Sequence, residues 1–177
     1  MTQKKPAVFF DRDGVLNIDH GYVHRREDFA WMPGAIEAVK WCKDNGWLVF
    51  VITNQSGVAR GFYTEQHVRD LHACMNRELK QHGTAIDAFY YCPHHISGVV
   101  EEYCVSCNCR KPGPGMIQQA IEEWPVDAGR SILIGDKASD VAAAQAAGIQ
   151  GYLFPGGNLL KFVKAIITSQ LKVGKCL

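Results

Sequence analysis

Two aspartates two positions apart, Asp11 and Asp13, close the apolar run Val8-Phe9-Phe10, and Gly14 follows at once. Such a run has the character of a buried strand, and the glycine allows a sharp exit turn. Alternate side chains of an extended chain share a side, so a strand continuing past Phe10 would put both carboxylates together. Carboxylates that close repel each other unless a cation or a shared proton relieves them. A divalent metal with acid–base or nucleophilic chemistry answers this; a turn aspartate beside a helix cap is the plain alternative. A third aspartate, Asp136, follows Gly135 at the end of the apolar run Ile132-Leu133-Ile134 and favours the metal. Oxygens of Asp11, Asp13 and Asp136 around Mg2+, completed by waters and a phosphate oxygen, suit a hard cation. With charge neutralised there, one aspartate can attack phosphorus while the other protonates the leaving alkoxide.

Two further residues fit phosphate chemistry. Thr53 ends the strongest apolar run, Leu48-Val49-Phe50-Val51-Ile52. It can simply terminate a strand, or its hydroxyl and the backbone N–H groups of Asn54, Gln55 and Ser56 can cradle phosphate oxygens. Lys111, between Arg110 and Pro112, is either a solvated surface base or a point charge balancing a transferring phosphoryl group.

The cysteines are unevenly placed. Cys42, Cys74 and Cys176 are scattered, whereas Cys92, Cys104, Cys107 and Cys109 crowd one segment. An odd total without a secretion-type leader argues against a disulfide framework. Cys92-Pro93-His94 and Cys107-Asn108-Cys109 supply four zinc-type ligands, with Cys104 and His95 as rivals and a set of free buried thiols as the alternative. Four protein ligands leave no open position for water, so a zinc here is structural. Its task would be to hold Arg110 and Lys111, which follow Cys109 directly.

The elements that must position these residues alternate. After the first strand comes a polar and aromatic segment, 17–31, then a helix from Ala35 to Asp44 stopped by Asn45-Gly46. The strand 48–52, apolar on both faces, has the pattern of a central strand in a covered parallel sheet. Thr64 is an N-cap for a helix to about His82, with Val68, Leu71, Met75 and Leu79 on one face. A strand over Ile86–Tyr91, a helix over Met116–Trp124, a strand over Ser131–Ile134, a helix over Ala138–Ala147, a strand over Gly151–Phe154 and a last helix patterned by Leu159, Phe162, Val163 and Ile166 follow. Lys172 to Leu177 are expected to form a loose tail. This alternation predicts an α/β domain with a mostly parallel sheet, whose ligands bind at the carboxyl ends of the strands. Asp11, Asp13, Thr53 and Asp136 all stand at such ends.

A chain of 177 residues is most simply one domain with a full core. A formal net charge of +1 argues against a generalised nucleic-acid or membrane footprint. No apolar run reaches the ~18 to 20 residues of a membrane span. The expectation is a cytoplasmic monomer acting on a small molecule.

Asp11-x-Asp13-Gly14, Thr53 after a buried strand, Lys111 before a proline, and Gly135-Asp136 with Asp140 together resemble the four motifs of the haloacid dehalogenase (HAD) superfamily. The resemblance implies a Rossmann-like three-layer core without a large cap domain, and phosphoryl transfer through an aspartyl-phosphate. It makes Asp11 the nucleophile and Asp13 the general acid, later the base that activates water. Thr53 and Lys111 hold the phosphoryl group; Asp11, the Asp13 carbonyl and Asp136 bind Mg2+; Asp140 sits behind them. The Cys/His pattern is similar to the zinc loop of a subgroup whose members act on heptose bisphosphates or on histidinol phosphate. Asp19-His20-Gly21-Tyr22, Asn54-Gln55-Ser56-Gly57 and Cys109-Arg110-Lys111-Pro112 resemble the heptose branch more closely, and the basic trio Arg110, Lys111 and Lys137 suits a phosphosugar with two phosphates. Asp19 to Tyr22 can hydrogen-bond the sugar; a plain aromatic hairpin is the other use of that stretch. A zinc-stabilised binding module without turnover is the alternative of a different class, disfavoured by a nucleophile placed beside an acid.

Overall fold

The computed structural model describes residues 3–173, the last three by backbone alone, so the expected tail from Lys172 to Leu177 lies outside the described side chains. Five strands form one parallel sheet: β1 (Ala7–Phe10), β2 (Leu48–Asn54), β3 (Ala88–Cys92), β4 (Ile132–Gly135) and β5 (Gln150–Leu153), in the order β3-β2-β1-β4-β5. The chain builds outward from β1 through β2 to β3, then crosses back to place β4 on the other side of β1. The strand order therefore reverses between β1 and β4, where ligands of open α/β sheets bind.

Strand alternation sorts the core into two layers. Val8 and Phe10 of β1, with Val49 and Val51 of β2, pack under α1 (Ala35–Asp44), α2 (Glu65–Gln81) and α5 (Leu159–Val173). Phe9, Phe50, Ile52 and Leu133 face α3 (Gly115–Glu123) and α4 (Ala138–Ala146). Every residue of β1 is buried, as a central strand covered on both faces requires. The apolar face of α2 is the expected one: Val68, Leu71, Met75 and Leu79 are all buried. Thr64 caps that helix by accepting from the His67 N–H, while His67 Nδ1 accepts from the Thr64 N–H at 3.1 Å.

One strand starts later than its apolar pattern predicts. Ile86 belongs to no ladder because the side-chain amide of Asn76 on α2 takes both of its backbone groups, at 2.8 and 3.0 Å. β3 begins instead at Ala88 and runs on to Cys92, which pairs with Asn54. That shift carries Cys92 to the carboxyl end of the sheet. The segment after β1 forms a loop closed at its base by the Asn17–Trp31 bridge, with one short turn of 3-10 helix at Arg26–Asp28. No large cap is inserted among the described residues, and none of their helices is long and apolar enough to cross a membrane.

Candidate active site

Phe10 is level with Val51 of β2 and Ile134 of β4, so Asp11, Thr53 and Asp136 leave neighbouring strands at nearly the same height. β1 ends at Phe10, however, and the chain turns: the N–H groups of Leu16 and Asn17 both return to the Arg12 carbonyl. The expected continuation of the strand is thus replaced by a turn, and the two carboxylates are stabilised separately. Asp11 Oδ1 accepts from the Arg12 N–H and from Lys111 Nζ, each at 2.8 Å. Asp13 accepts from the Arg12 guanidinium, with Nη2 at 3.0 Å from both oxygens, and from Asn17 Nδ2 and Gln55 Nε2, each at 3.0 Å. Each aspartate has its own buried cation, which is how two neighbouring carboxylates coexist here.

Lys111 is the hub. Its ammonium lies 2.8 Å from Asp11 Oδ1, 2.6 Å from Asp140 Oδ1 and 3.0 Å from the Ile52 carbonyl. Burial works against its charge, yet Asp11 and Asp140 outweigh burial and raise its pKa. Asp11 is pushed up to about 7: burial disfavours its ionised form, Asp140 and Asp13 add to that, and Lys111 only partly offsets them. A divalent cation beside Asp11 would favour its carboxylate form.

The donors for that cation are present. Carboxylate oxygens of Asp11, Asp136 and Asp140 lie within 4.8 Å of one another. Asp136 Oδ1 is buried and has no hydrogen-bond partner. A lone anionic oxygen of this kind fits a hard divalent ion. Two glycines create the space: a Cβ on Gly14 would stand 2.3 Å from Asp136 Oδ2, and one on Gly135 would stand 2.2 Å from the Asp140 Cβ. Asp140 is held from both sides, since its other oxygen accepts the Lys137 N–H at the start of α4.

Asp11, Asp13, Thr53, Asn54, Lys111, Lys137, Ser139 and Asp140 line one cleft of about 50 Å3. Its size is that of a phosphoryl group and its first waters, not of a sugar. The N-terminus of α4 opens on it, a setting that favours anions. Ser139 also faces the cleft, and its place three residues after Asp136 is its one mark in the sequence.

Several expected substrate contacts have other partners. Asn54 clasps the Lys111 backbone, donating to its carbonyl at 3.1 Å and accepting its N–H at 3.0 Å. Gln55 is buried; its amide nitrogen joins Asp13 Oδ2 to Thr53 Oγ1 (3.0 and 2.8 Å), and its oxygen accepts from the Tyr63 hydroxyl. The Gln55 N–H bonds the Cys92 carbonyl, so it is missing from the backbone cradle expected after Thr53, because β3 runs longer than predicted. Ser56 is partly exposed and its carbonyl accepts from the Arg60 N–H. His20, Gly21 and Tyr22 line a separate open depression of about 650 Å3 with Phe62, not the Asp11 cleft. Asp19 caps that turn by accepting the Gly21 N–H. Arg110 donates to the His94 carbonyl at 3.3 Å.

The Cys-rich loop brings four donors to one point. Cys109 Sγ lies 3.1 Å from Cys92 Sγ, 3.3 Å from Cys107 Sγ and 3.4 Å from His94 Nδ1. Three thiols and one imidazole nitrogen this close form the donor set of a tetrahedral, borderline-soft metal. Neither rival competes: Cys104 Sγ faces the Val100 carbonyl, and His95 Nδ1 accepts the Ser97 N–H. The loop is also tied to α2, where Glu65 accepts the hydroxyls of Tyr91 and Tyr103, each at 2.8 Å.

A family model described as HAD-hydrolase-like matches residues 108–161. The chain is 51% identical over 164 residues to D-glycero-beta-D-manno-heptose-1,7-bisphosphate 7-phosphatase of Rhodopseudomonas palustris, covering 93% of this chain and 91% of the relative. The protein of the same name from Escherichia coli K12 is 44% identical, over 84% of this chain and 78% of the relative. Among solved structures, D,D-heptose 1,7-bisphosphate phosphatase from B. bronchiseptica, in complex with magnesium and phosphate, superposes with a TM-score of 0.80. It is 30% identical, with 94% of this chain and 98% of that one covered.

Proposed function

This chain belongs to the family of HAD-type heptose-1,7-bisphosphate 7-phosphatases, and from that premise we propose that it removes the 7-phosphate of D-glycero-β-D-manno-heptose 1,7-bisphosphate through a phosphorylated Asp11. The observation that carries the chemistry is the meeting of Asp11, Asp13, Thr53 and Lys111 in one cleft at the β1/β4 switch point. Asp11, Asp136 and the Asp13 carbonyl would hold Mg2+, which neutralises charge on the phosphoryl oxygens when bound. For this step Asp13 must enter the substrate complex protonated: the Asp11 carboxylate attacks phosphorus, the P–O7 bond breaks with its electron pair on O7, and the Asp13 proton passes to that oxygen. Asp13 then takes a proton from a water whose oxygen attacks phosphorus; the Asp11–phosphorus bond breaks and inorganic phosphate leaves. Lys111, with its three donors on Asp11, Asp140 and the Ile52 carbonyl, balances the phosphoryl charge as a fixed cation, and the Thr53 hydroxyl donates to a phosphoryl oxygen through both steps.

The Cys92/His94/Cys107/Cys109 cluster holds a structural Zn2+, supported by its donor set and closure. Arg110 and Lys137 serve the parts of the substrate outside the small cleft. The β anomer follows the relatives that bear it in their name. The product keeps its anomeric phosphate, which is the form a nucleotidyl transfer consumes. An enzyme in this role works in the cytoplasm and supplies activated heptose for lipopolysaccharide or another surface glycan.

Phosphate release from both anomers of the bisphosphate and from histidinol phosphate tests this, with Asp11→Asn as the control. A clear preference for the β bisphosphate, abolished by Asp11→Asn, is the expected result. Preference for histidinol phosphate would overturn the substrate, and full activity of Asp11→Asn would overturn the phosphorylated aspartate.

A further inference from the structure

We propose that Arg12 is a positioning residue for Asp13, and that it locks the orientation of this acid/base to the seating of the loop spanning residues 17–31. The proposal rests on the phosphatase chemistry above. Arg12 has 0% exposure, although it sits between two aspartates at a turn where a solvated side chain would be expected. Burying a guanidinium is costly unless its donors are satisfied. Here each of its three nitrogens has a partner. Nε and Nη2 grip the Asp13 carboxylate at 3.0 to 3.3 Å, and Nη2 also donates to the Val23 carbonyl. Nη1 lies 3.3 Å from His72 Nε2 on α2. Arginine only donates, so this imidazole nitrogen is the acceptor and His72 is neutral.

A second connection reaches the same place independently. Gln55 donates to Asp13 Oδ2 and accepts from the Tyr63 hydroxyl at 2.7 Å, and the His24 ring stacks on Tyr63 with centroids 4.6 Å apart. The Tyr63 ring fits only because residue 57 is glycine: a Cβ there would stand 2.2 Å from it. Both routes from Asp13 end on consecutive residues of one loop, Val23 and His24. Among the described residues no large cap closes over this cleft to aim the acid. The loop does so from the side, with Arg12 as the main strut.

Leaving-group dependence separates this role from a merely structural one. A heptose alkoxide needs a proton from Asp13 as it leaves; p-nitrophenolate does not. Arg12→Lys keeps the charge and loses the fork; Arg12→Met loses both. For folded variants with wild-type thermal unfolding, the first turnover of the heptose bisphosphate is expected to fall by about 100-fold, the scale of general acid catalysis. The first turnover of p-nitrophenyl phosphate should fall by less than about fivefold. A burst near one nitrophenolate per active site should then precede slow steady state, because hydrolysis of the phosphoaspartate also uses Asp13. Tyr63→Phe should show the same contrast more weakly, and it carries the test if the Arg12 variants do not fold. Equal losses on both substrates, without a burst, would overturn the proposal. Inactivity of the wild type itself toward the heptose bisphosphate would count against the substrate alone; the contrast is then read against any alkyl phosphate that the wild type hydrolyses.

Discussion

Gly14 lies so close to Asp136 that a Cβ built on it would stand 2.3 Å from Asp136 Oδ2, and its φ of +88° is one that side chains other than hydrogen rarely adopt. The turn after β1 and the carboxylate after β4 are therefore one packed unit. Gly14→Ala should displace Asp136, whose Oδ1 is the unpartnered oxygen offered to the metal. Mg2+ affinity is expected to fall by about 10- to 100-fold, as when the supports of metal ligands are lost. Magnesium titration followed by intrinsic fluorescence checks this; unchanged affinity would separate Asp136 from the metal.

Lys111→Met removes the ammonium that lies between Asp11 and Asp140 and leaves two buried carboxylates facing each other. Breaking a buried ion pair from one side typically costs about 3–5 kcal/mol. Lower stability in denaturant titration, and a loss of at least about 100-fold in kcat/KM, are expected together. Lys111→Arg should not restore activity, because a planar fork does not replace a point charge held by three acceptors.

His72 gives the stability a pH dependence of known sign. Burial, with the neighbouring Arg12 charge adding to it, holds the imidazole well below its ordinary pKa of 6.5. Below pH 6.5 the unfolded chain takes up a proton that the folded protein refuses. Its contribution is therefore full above pH 6.5 and is lost as the pH falls toward the folded-state value, by at most about 1.4 kcal/mol per pH unit. His72→Gln, whose amide oxygen can still accept from Arg12, should flatten this part of the decline. Denaturant unfolding of both proteins at pH 7.5 and pH 5.5 measures the difference, and identical pH slopes would contradict it.

Much of the site is legible locally because each of Asp11, Thr53 and Asp136 interrupts an apolar run, and a polar residue at a buried strand end needs a reason. The cysteine pairs are legible as metal-type donors, but their spacing leaves Cys104 and His95 as rivals, which the fold turns elsewhere. The burial of Arg12 is not legible, and Gln55 reads as a substrate contact, not as the buried support of Asp13 that it is. Arg12 reaches His72, 60 positions away, and Gln55 reaches Asp13, 42 positions away, and nothing in their neighbours shows that the side chains turn inward. An arginine between two aspartates looks solvated; only the fold shows that it is buried. The β3 boundary fails for the same reason, since Ile86 is apolar and β-branched and is diverted by a side chain of α2.

Cys107→Ser should empty the metal cluster of the Cys-rich loop. Purified wild type is expected to carry about one zinc per chain, and the variant markedly less. Because Cys109 leads directly into Arg110 and Lys111, kcat/KM should fall by about tenfold or more. The ties from Glu65 to Tyr91 and Tyr103 should keep the rest of the fold intact, read as a near-normal circular dichroism spectrum. Zinc-free protein with full activity would contradict the role of the cluster.

The most direct measurement is 31P NMR of the heptose 1,7-bisphosphate during turnover with Mg2+. The C7 phosphate resonance should disappear as inorganic phosphate grows, while the anomeric phosphate persists, and Asp11→Asn should leave both signals unchanged. Loss of the anomeric phosphate, or a bisphosphate left intact while histidinol phosphate is consumed, would contradict the account.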